Sequence, residues 1–485
     1  MAIILVTDRS DLWLSEIPGF EQVDVRDYLT RSEWSRRSGI KVYNLCQSYA
    51  YKSLGYYVSL LAEARGHRPF PTVRTIQDLY RNAAVRLIPD ELEALIETSL
   101  APIQSSEFTL SVYFGRNTAK RYDRLSRALF NLFQAPLLRF YFKRRSQWRL
   151  TRIQAIGTAE VPQPHREFLV ESAASHFRRG THAVSHRSKT RFDMAILHHP
   201  EEGDLAPSDG LALKRMLKAA QATGINAQLI TNEDAARLLE FDALFIRETT
   251  AIDHHTYRLA SRAEREGLVV IDDPLSILRC TNKVYLAELL QKHKVPTPRT
   301  IVAHRGNTDV IATELGFPCV LKRPDSAFSL GVAKVHDRDE LEAQLKILFQ
   351  ESELVIAQQY MRTDFDWRIG VLDQRGLYAC KYHMARGHWQ IAKHREGKTT
   401  RWGKFETVPI ELAPRKVVAV ALKAANLIGD GLYGVDVKEN DEATCVIEVN
   451  DNPNLDAGVE DAVLRDELYR RLMESFLRRI EEKKR

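Results

Sequence analysis

Short apolar runs alternate with helix-forming segments between residues 192 and 272. Parallel strands are joined by a crossover, usually a helix, so this alternation predicts a parallel sheet with right-handed connections. The predicted elements are strand Phe192–His198, helix Leu211–Thr223, strand Asn226–Ile230, helix Asp234–Glu240, strand Ala243–Arg247, helix His255–Glu266 and strand Leu268–Asp272. We therefore expect a small α/β domain over residues 190–280.

The length of 485 residues suggests about three domains, because one hydrophobic core rarely serves so long a chain. We place an N-terminal domain at residues 1–155. It begins with a predicted buried strand at Ile3–Thr7 and continues through predicted helices at Tyr49–Arg65, Ile76–Arg86 and Asp90–Leu100. The segment Thr158–Arg191 shows no sustained period, which predicts a linker or an irregular connection.

Residues 120–152 combine many Lys and Arg side chains with aromatic ones, and Asp123 is the single acid among them. Such a stretch could bind RNA or an acidic polypeptide. We prefer the interpretation that the aromatic side chains, at helical spacing, face a core while the arginines remain solvated. The formal net charge of +6 is too small over this length to indicate a nucleic-acid partner by itself.

The five cysteines lie far apart and form no CxxC pair, so neither a disulfide framework nor a zinc site is predicted from them. The short apolar run at the start suits a buried strand better than a signal peptide. No stretch approaches the roughly 18 apolar residues that a membrane span needs. We expect a cytoplasmic protein without a membrane partner.

The motif that carries most chemistry is YGVDVKENDEATCVIEVNDNPN at residues 433–454. Two β-rich runs flank a polar turn, and a hairpin centred near residue 442 would place Asp436 opposite Glu448, with Asn450 on the same face. Carboxylates held together are costly unless a cation lies between them. Because oxygen ligands suit magnesium, we predict a metal site formed by Asp436, Glu448 and Asn450.

Two lysines are candidates to bind phosphate. Lys283 lies in the first turn of a helix capped by Thr281 or Asn282, where a cation is unfavourable unless it meets an anion. Lys322 ends a buried strand and precedes a loop with Ser326, Ser329 and Gly331, a layout that can close over phosphates. The alternative for each lysine is an ordinary solvated side chain.

The segment VIAQQYMRTDFDWRIGVL at residues 355–372 predicts a strand, a turn and a second strand. Strand ends with an apolar wall often hold adenine through backbone groups, and Asp366 could contact a ribose hydroxyl. Between this segment and the hairpin, Arg386 is a candidate to stabilise charge on a transferring phosphoryl group or an oxyanion. The adenine candidates are Gln358, Gln359, Tyr360 and Met361.

Taken together and in this order, these motifs resemble the ATP-grasp superfamily and, within it, the RimK-like ligases. The resemblance covers residues 190–480 and implies an ATP-grasp fold of mixed α/β and α+β class. A small α/β pre-grasp domain would precede an ATP-grasp domain at 281–482, with lobes at about 297–356 and 357–479. The first 150 residues resemble the extra N-terminal domain of one branch of RimK-like proteins.

The chain departs from the simplest family members in three respects. Members that glutamylate the C-terminus of a ribosomal protein lack the N-terminal extension, so their substrate is not carried over. Gln359 stands at the usual acidic hinge position, and QIA at 390–392 replaces a more polar triplet.

The resemblance implies an ATP-dependent carboxylate–amine ligase that works through an acyl phosphate, for example adding glutamate to a peptide, protein or small molecule. The implied cofactors are ATP and one or two magnesium ions, for which manganese can substitute. The implied partners are a carboxylate and an amine substrate, without nucleic acid, and a homo-oligomer is compatible with the family. The alternatives are an ATP-grasp kinase and a nucleotide-switched factor that binds RNA or the ribosome.

Overall fold

The computed structural model describes residues 2–8, 20–37, 39–80, 88–181, 191–325, 331–385, 389, 392–395 and 398–484. The chain divides into two compact units. The first unit comprises Met1–Arg187 together with Glu233–Glu240, and the second comprises Ser188–Asn232 and Phe241–Arg485. Among the helices within these ranges, none is long and apolar enough to cross a membrane.

The first unit opens with a parallel sheet in the order β2-β1-β3-β4. The helix predicted from Tyr49 begins later, because Lys52 has a positive φ of 67° and the Ser53 side chain caps the helix by accepting a hydrogen bond from the Tyr56 N–H. The elements are β1 (Ala2–Thr7), β2 (Glu21–Asp24), α1 (Val25–Thr30), α2 (Glu33–Arg36), β3 (Ile40–Asn44), α3 (Leu54–Ala64), β4 (Arg68–Phe70) and α4 (Val73–Tyr80).

An antiparallel sheet in the order β5-β6-β7 follows in the same unit. Most aromatic side chains of residues 120–152 do face a core, as predicted, but Phe130 and Phe133 do so from an α-helix, Tyr122 does so from a 3₁₀ helix, and Tyr141 does not. Phe140, Phe142 and Trp148 are buried from strands instead. The elements are α5 (Asp90–Leu100), β5 (Glu107–Tyr113), α6 (Asp123–Phe133), β6 (Leu137–Arg144), β7 (Trp148–Ala155) and α7 (Arg166–Thr181), with 3₁₀ helices at Lys120–Tyr122, Thr158–Glu160 and Gln163–His165.

The interpretation of Thr158–Arg191 as an irregular connection was wrong for much of its length, because α7 lies within it. Leu169, Ala173 and Phe177 are spaced four residues apart and are buried in the core of the first unit. The stripe is narrow and is surrounded by polar residues, which hid the helical period in the sequence. Residues 182–190 lie outside the described part of the chain. The compact unit therefore continues beyond residue 155, where the sequence placed its end.

Residues 233–240, which come later in the chain, also belong to the first unit. Residues 232–240 form a 3₁₀ helix where the sequence predicted an α-helix at Asp234–Glu240. Glu240 makes an ion pair with Lys41, at 2.7 Å between Lys41 Nζ and Glu240 Oε1. Lys41 is only 4% exposed, so this carboxylate supplies the charge that a buried ammonium requires.

The second unit begins with the predicted parallel sheet, in the order β11-β10-β8-β9. Strands β8 and β10 begin and end where the sequence placed them, and the other elements differ by a few residues. The elements are β8 (Phe192–His198), α8 (Gly210–Ala222), β9 (Ile225–Ile230), β10 (Ala243–Arg247), α9 (His255–Arg265), β11 (Val269–Ile271) and α10 (Pro274–Thr281), with a 3₁₀ helix at Gly203–Leu205.

Two antiparallel sheets complete the second unit, in the orders β12-β15-β13-β14 and β20-β17-β16-β21-β22, and β18 pairs with β19. This arrangement confirms the predicted mixed α/β and α+β class. The elements are α11 (Lys283–Lys292), β12 (Thr300–Ala303), α12 (Asp309–Leu315), β13 (Cys319–Lys322), β14 (Val332–Val335), α13 (Arg338–Glu351), β15 (Val355–Gln359), β16 (Phe365–Leu372), β17 (Arg375–His383), β18 (Ala392–Arg395), β19 (Lys398–Trp402), β20 (Phe405–Val408), α14 (Arg415–Ile428), β21 (Leu432–Glu439), β22 (Thr444–Asn450) and α15 (Asp466–Lys483).

Candidate active site

The predicted hairpin is formed by β21 and β22. Asp436 lies opposite Glu448 in the antiparallel register, and Asn450 lies opposite Gly434. The turn is closed by the Asn440 side chain, which accepts hydrogen bonds from the backbone N–H groups of residues 442 and 443. Alternate side chains of β21 are buried in a core that includes α14, and β22 contributes Val446 and Val449 on either side of a β-bulge. The hairpin therefore presents its polar side chains from a rigid, packed base.

Asp436 makes a bidentate ion pair with Arg368 on the neighbouring strand β16, where the two residues are directly paired. Arg368 Nε lies 2.7 Å from Asp436 Oδ1, and its Nη2 lies 2.8 Å from Oδ2. Asn450 Nδ2 lies 3.4 Å from Asp436 Oδ2 and 3.2 Å from the Gly434 carbonyl oxygen. The structure thus brings Asp436 and Asn450 together and adds an arginine to which the sequence had given no role.

Glu448 makes an ion pair with Lys283, at 2.8 Å between Lys283 Nζ and Glu448 Oε1. Burial alone would raise the pKa of Glu448, but Lys283 and then Lys322 lower it below its ordinary value. Lys283 is the first residue of α11, whose cap is Asn282, and its backbone N–H donates to the carbonyl oxygen of Pro324. The anion that Lys283 meets in this structure is therefore Glu448.

Lys322 lies at the end of β13 and is 9% exposed. Its Nζ donates to Gln358 Oε1 at 2.8 Å, and Gln358 Nε2 donates to Thr300 Oγ1 at 3.0 Å. Burial lowers the pKa of Lys322 to about 8; Glu448 opposes this shift, and the Lys283 charge adds to it. The side chain of Gln358 therefore orients a buried lysine, whereas the sequence had assigned Gln358 to an adenine edge.

Asp366 is held by Lys438, whose ammonium contacts both Asp366 Oδ1 and Thr363 Oγ1. Burial raises the pKa of Asp366, and Lys438 opposes that shift. Sequence reasoning missed Lys438. The signal was present, because Lys438 stands two residues after Asp436 on the same strand and therefore projects from the same face.

The remaining nucleotide candidates are placed only in part. The Gln359 N–H donates to the Arg299 carbonyl oxygen at 2.8 Å, so this donor is already used. Tyr360 packs edge-on against Trp389, with ring centroids 6.1 Å apart, and Lys334 Nζ lies 4.6 Å from the Tyr360 ring centroid. Met361 is half-buried. Trp389 is thus a member of the predicted apolar wall that the sequence had not indicated, and Lys334 places a cation beside it.

The loop after β13 and the segment around Arg386 are described in part. Gly331 has a positive φ of 68°, and its carbonyl oxygen accepts a hydrogen bond from the Arg323 N–H at 3.0 Å. Ser326, Ser329 and Arg386 lie outside the described residues, as do residues 390 and 391.

Four cations and three carboxylates therefore line one partly buried site. The acidic pair on the hairpin, with the Asn450 amide, offers the oxygen donors that a hard divalent cation prefers. The lysines offer point charges suited to phosphate oxygens. The charged side chains of the site also act on one another. Glu448 and Asp366 raise the pKa of Lys322, whereas Lys283 and Lys438 lower it. The donor set fits a polyphosphate with a bound divalent cation.

Two family models match the chain. The first, described as the RimK-like ATPgrasp N-terminal domain, covers residues 25–172. The second, described as the RimK-like ATP-grasp domain, covers residues 280–465. The site residues from Lys283 to Asn450 all lie within the second match.

Several curated relatives and solved structures are similar to the chain. A probable alpha-L-glutamate ligase 1 of Shewanella denitrificans is 26% identical over 272 residues, 52% of this chain and 89% of the relative. A probable alpha-L-glutamate ligase of Thioalkalivibrio sulfidiphilus is 25% identical over 268 residues, 51% of this chain and 86% of the relative. The crystal structure of a RimK domain protein ATP-grasp from Sphaerobacter thermophilus covers 58% of this chain and 98% of its own, with 19% identity and a TM-score of 0.44.

Proposed function

We propose that this chain, which belongs to the RimK-like ATP-grasp proteins and is an ATP-grasp ligase, activates a substrate carboxylate as an acyl phosphate and joins it to an amine. The observation that carries this proposal is the cluster of Lys283, Lys322, Asp436, Glu448 and Asn450. These residues stand far apart in the sequence and yet meet at one site with the charges that a nucleotide and its metal require.

ATP supplies the phosphoryl group. We propose that Lys283 and Lys322 hold its phosphates, with the loop at Ser329 and Gly331 closing over them. Gln358 fixes the direction of the Lys322 ammonium through the 2.8 Å hydrogen bond. Burial of Lys322 strengthens its attraction to phosphate, because little water screens the charge.

The adenosine moiety has a separate set of candidate contacts. Tyr360 and Met361, with Trp389, would form the wall beside the adenine ring. The Gln359 N–H is already bonded, so the backbone there would contribute its carbonyl oxygen as an acceptor. Asp366, held in place by Lys438, would accept a hydrogen bond from a ribose hydroxyl.

We propose that Asp436, Glu448 and Asn450 hold one or two magnesium ions. When bound, magnesium neutralises the charge that develops between the phosphates. Arg368 keeps both oxygens of Asp436 in a fixed orientation through its two hydrogen bonds. With magnesium bound, Glu448 would be a ligand of the metal, and Lys283, its present ion-pair partner, would be available to a phosphate oxygen.

The chemistry follows from these positions. A substrate carboxylate oxygen bonds to the γ-phosphorus, and the bond from that phosphorus to ADP breaks. The amine then bonds to the acyl carbon, loses a proton, and inorganic phosphate leaves with its electron pair. Arg386 is proposed to stabilise the oxyanion of the tetrahedral intermediate. No side chain of the enzyme has to become covalently modified.

The relatives named probable alpha-L-glutamate ligase suggest L-glutamate as one substrate. We propose L-glutamate as the amine that is added to the carboxylate of a peptide, a protein or a small molecule. All five cysteines are buried free thiols, and we propose the reducing cytoplasm as the compartment of the protein.

The proposal is tested by ADP release from ATP and magnesium in the presence of L-glutamate and a pooled amino-acid and dipeptide library. Glu448→Gln is the inactivating variant, and Glu442→Gln, an exposed acid in the turn of the same hairpin, is its matched control. Release that requires both a carboxylate and an amine, with a product mass equal to condensation, supports the ligase. Release that is independent of the amine would indicate a kinase. ATP binding without release, with salt-sensitive RNA binding that survives in Glu448→Gln, would indicate the nucleotide-switched factor.

A further inference from the structure

A second cluster of metal-ligating side chains lies between β10 and α9. Glu248 is the first residue after β10, His254 is the N-terminal cap of α9, and His255 is its first residue. One ligand atom from each of the three lies within 4.8 Å of the others. None of the three belongs to the proposed ATP and magnesium site.

The Glu248 carboxylate is the unusual member of this cluster. The residue is 2% exposed, and its Oε2 is inaccessible to water and has no hydrogen-bond partner among the described residues. Its Oε1 lies 2.6 Å from His255 Nε2, but the two atoms are not aligned as a hydrogen bond. A buried carboxylate oxygen without a partner is costly. The ligand atoms of the three residues therefore lie close together, although no hydrogen bond joins Glu248 to His255.

The tautomer of His254 is set by Thr256. The Thr256 hydroxyl donates to the Thr249 carbonyl oxygen at 3.4 Å, and its remaining contact is to His254 Nδ1 at 3.0 Å. When the hydroxyl donates to Thr249, Thr256 accepts from Nδ1–H, and the lone pair of His254 is then on Nε2. A ring nitrogen oriented by a bond to the other nitrogen is the usual arrangement of a metal-bound histidine.

The loop that carries Glu248 is held by hydrogen bonds to two other segments of the chain. The Thr249 N–H donates to Glu202 Oε1 at 3.0 Å. Asn452 Nδ2 donates to the Glu248 carbonyl oxygen at 2.7 Å, and Thr250 Oγ1 donates to Asp451 Oδ2 at 2.8 Å. Asp451 and Asn452 directly follow Asn450, so the loop is attached to the end of the β21–β22 hairpin. The ligand atoms are thus held in place by backbone and side-chain bonds that no metal has to supply.

We propose that Glu248, His254 and His255 form a binding site for a divalent transition-metal ion of the Zn²⁺ class, separate from the magnesium site. Two imidazoles and a carboxylate are a donor set that zinc accepts with a further position open to water or substrate. Magnesium prefers oxygen ligands and does not compete well for imidazole nitrogen. The alternative is that no metal binds and that His255 and Glu248 form only an ion pair.

Two features of the surroundings bear on this choice. The N-terminus of α9 disfavours a cation, and the Glu248 and Glu202 carboxylates oppose that effect. The rings of His254 and His255 lie side by side, with centroids 3.9 Å apart, so both imidazoles are available to one ion.

The test uses the full chain, freed of metal with a chelator and dialysed against Zn²⁺ alone, without nucleotide. We expect one zinc per chain that depends on this cluster. Glu248→Gln and His255→Asn should each lose it. Thr256→Val, which removes the hydroxyl that contacts His254 and Thr249, should weaken binding roughly 10-fold. His293→Ala, an exposed histidine at the end of α11, and Glu448→Gln should both retain the zinc.

Zinc bound equally by wild type and Glu248→Gln, or no zinc retained by wild type, would overturn the proposal and leave the ion pair. X-ray absorption of the zinc-loaded wild type keeps the test decisive if a variant fails to fold. We expect two imidazole nitrogens and oxygen at about 2.0–2.2 Å. An all-oxygen or a sulfur-containing shell would contradict the site.

Discussion

Replacing Glu448 with Gln should tighten the binding of ATP in the absence of magnesium. Lys283 Nζ lies 2.8 Å from Glu448 Oε1, so a phosphate that needs Lys283 must displace a carboxylate from it. Hydrogen bonds to charged groups contribute about 1.5–3 kcal/mol, and the variant removes this competition. It also removes the repulsion between Glu448 and the phosphates. We expect roughly a 10- to 100-fold gain in magnesium-free affinity, together with loss of turnover.

The assay is calorimetric titration of ATP into each protein, with EDTA and then with magnesium. The wild type should bind ATP much more tightly with magnesium, whereas Glu448→Gln should show little magnesium dependence. Glu442→Gln, at the exposed turn of the same hairpin, should behave like the wild type and controls for the change in net charge. An unchanged or weaker magnesium-free affinity in Glu448→Gln would refute the exchange of partners at Lys283.

Three further outcomes are expected. Arg368→Met leaves Asp436 without its bidentate partner and should lower the free energy of unfolding by about 3 kcal/mol, as measured by denaturant titration. Magnesium should recover part of this loss. A loss below about 1 kcal/mol would contradict a structural role for the pair. Burial lowers the pKa of Lys322 to about 8, so ATP binding above that pH should take up a proton, and the affinity for ATP should fall up to tenfold per pH unit. Calorimetry in buffers of different ionisation enthalpy measures the proton uptake. Equal binding enthalpies in all buffers would contradict this prediction. Gly370→Ala should cost about 1–3 kcal/mol in a thermal melt, because its Cβ would overlap the Tyr378 ring; an unchanged melt would show that the ring can move.

The sequence predicted best where pattern and local geometry agree. The β21–β22 hairpin is an example, since β-branched residues flank a polar turn and the two-residue period fixes which side chains share a face. The predicted pairing of Asp436 with Glu448 is observed, but the register set at the turn would place Ile447 opposite Asp436, and a β-bulge between Asp436 and Val437 brings Glu448 there instead. The parallel sheet of β8 to β11 is a second example, because the alternation of elements admits few other arrangements.

The partners of those carboxylates could not be read from the sequence. Arg368 meets Asp436 because β16 lies beside β21, and strand order in a sheet is a property of the tertiary fold. The sequence also assigned Gln358 to the adenine edge, but its position in the motif says nothing about the direction of its side chain. In the register of β13 with β15, Gln358 lies opposite Val320, so its side chain shares a face with Lys322, two residues further along β13.

The return of residues 233–240 to the first unit affects how this protein can be divided. A fragment that ends near residue 187 would retain Lys41 in its buried position but would lack Glu240, its ion-pair partner. Such a fragment has to bury an uncompensated charge or rearrange around it. The N-terminal region is therefore not an independent module that can be appended or removed at a linker. Recombination or truncation between residues 187 and 233 would separate a compact unit from part of its own chain.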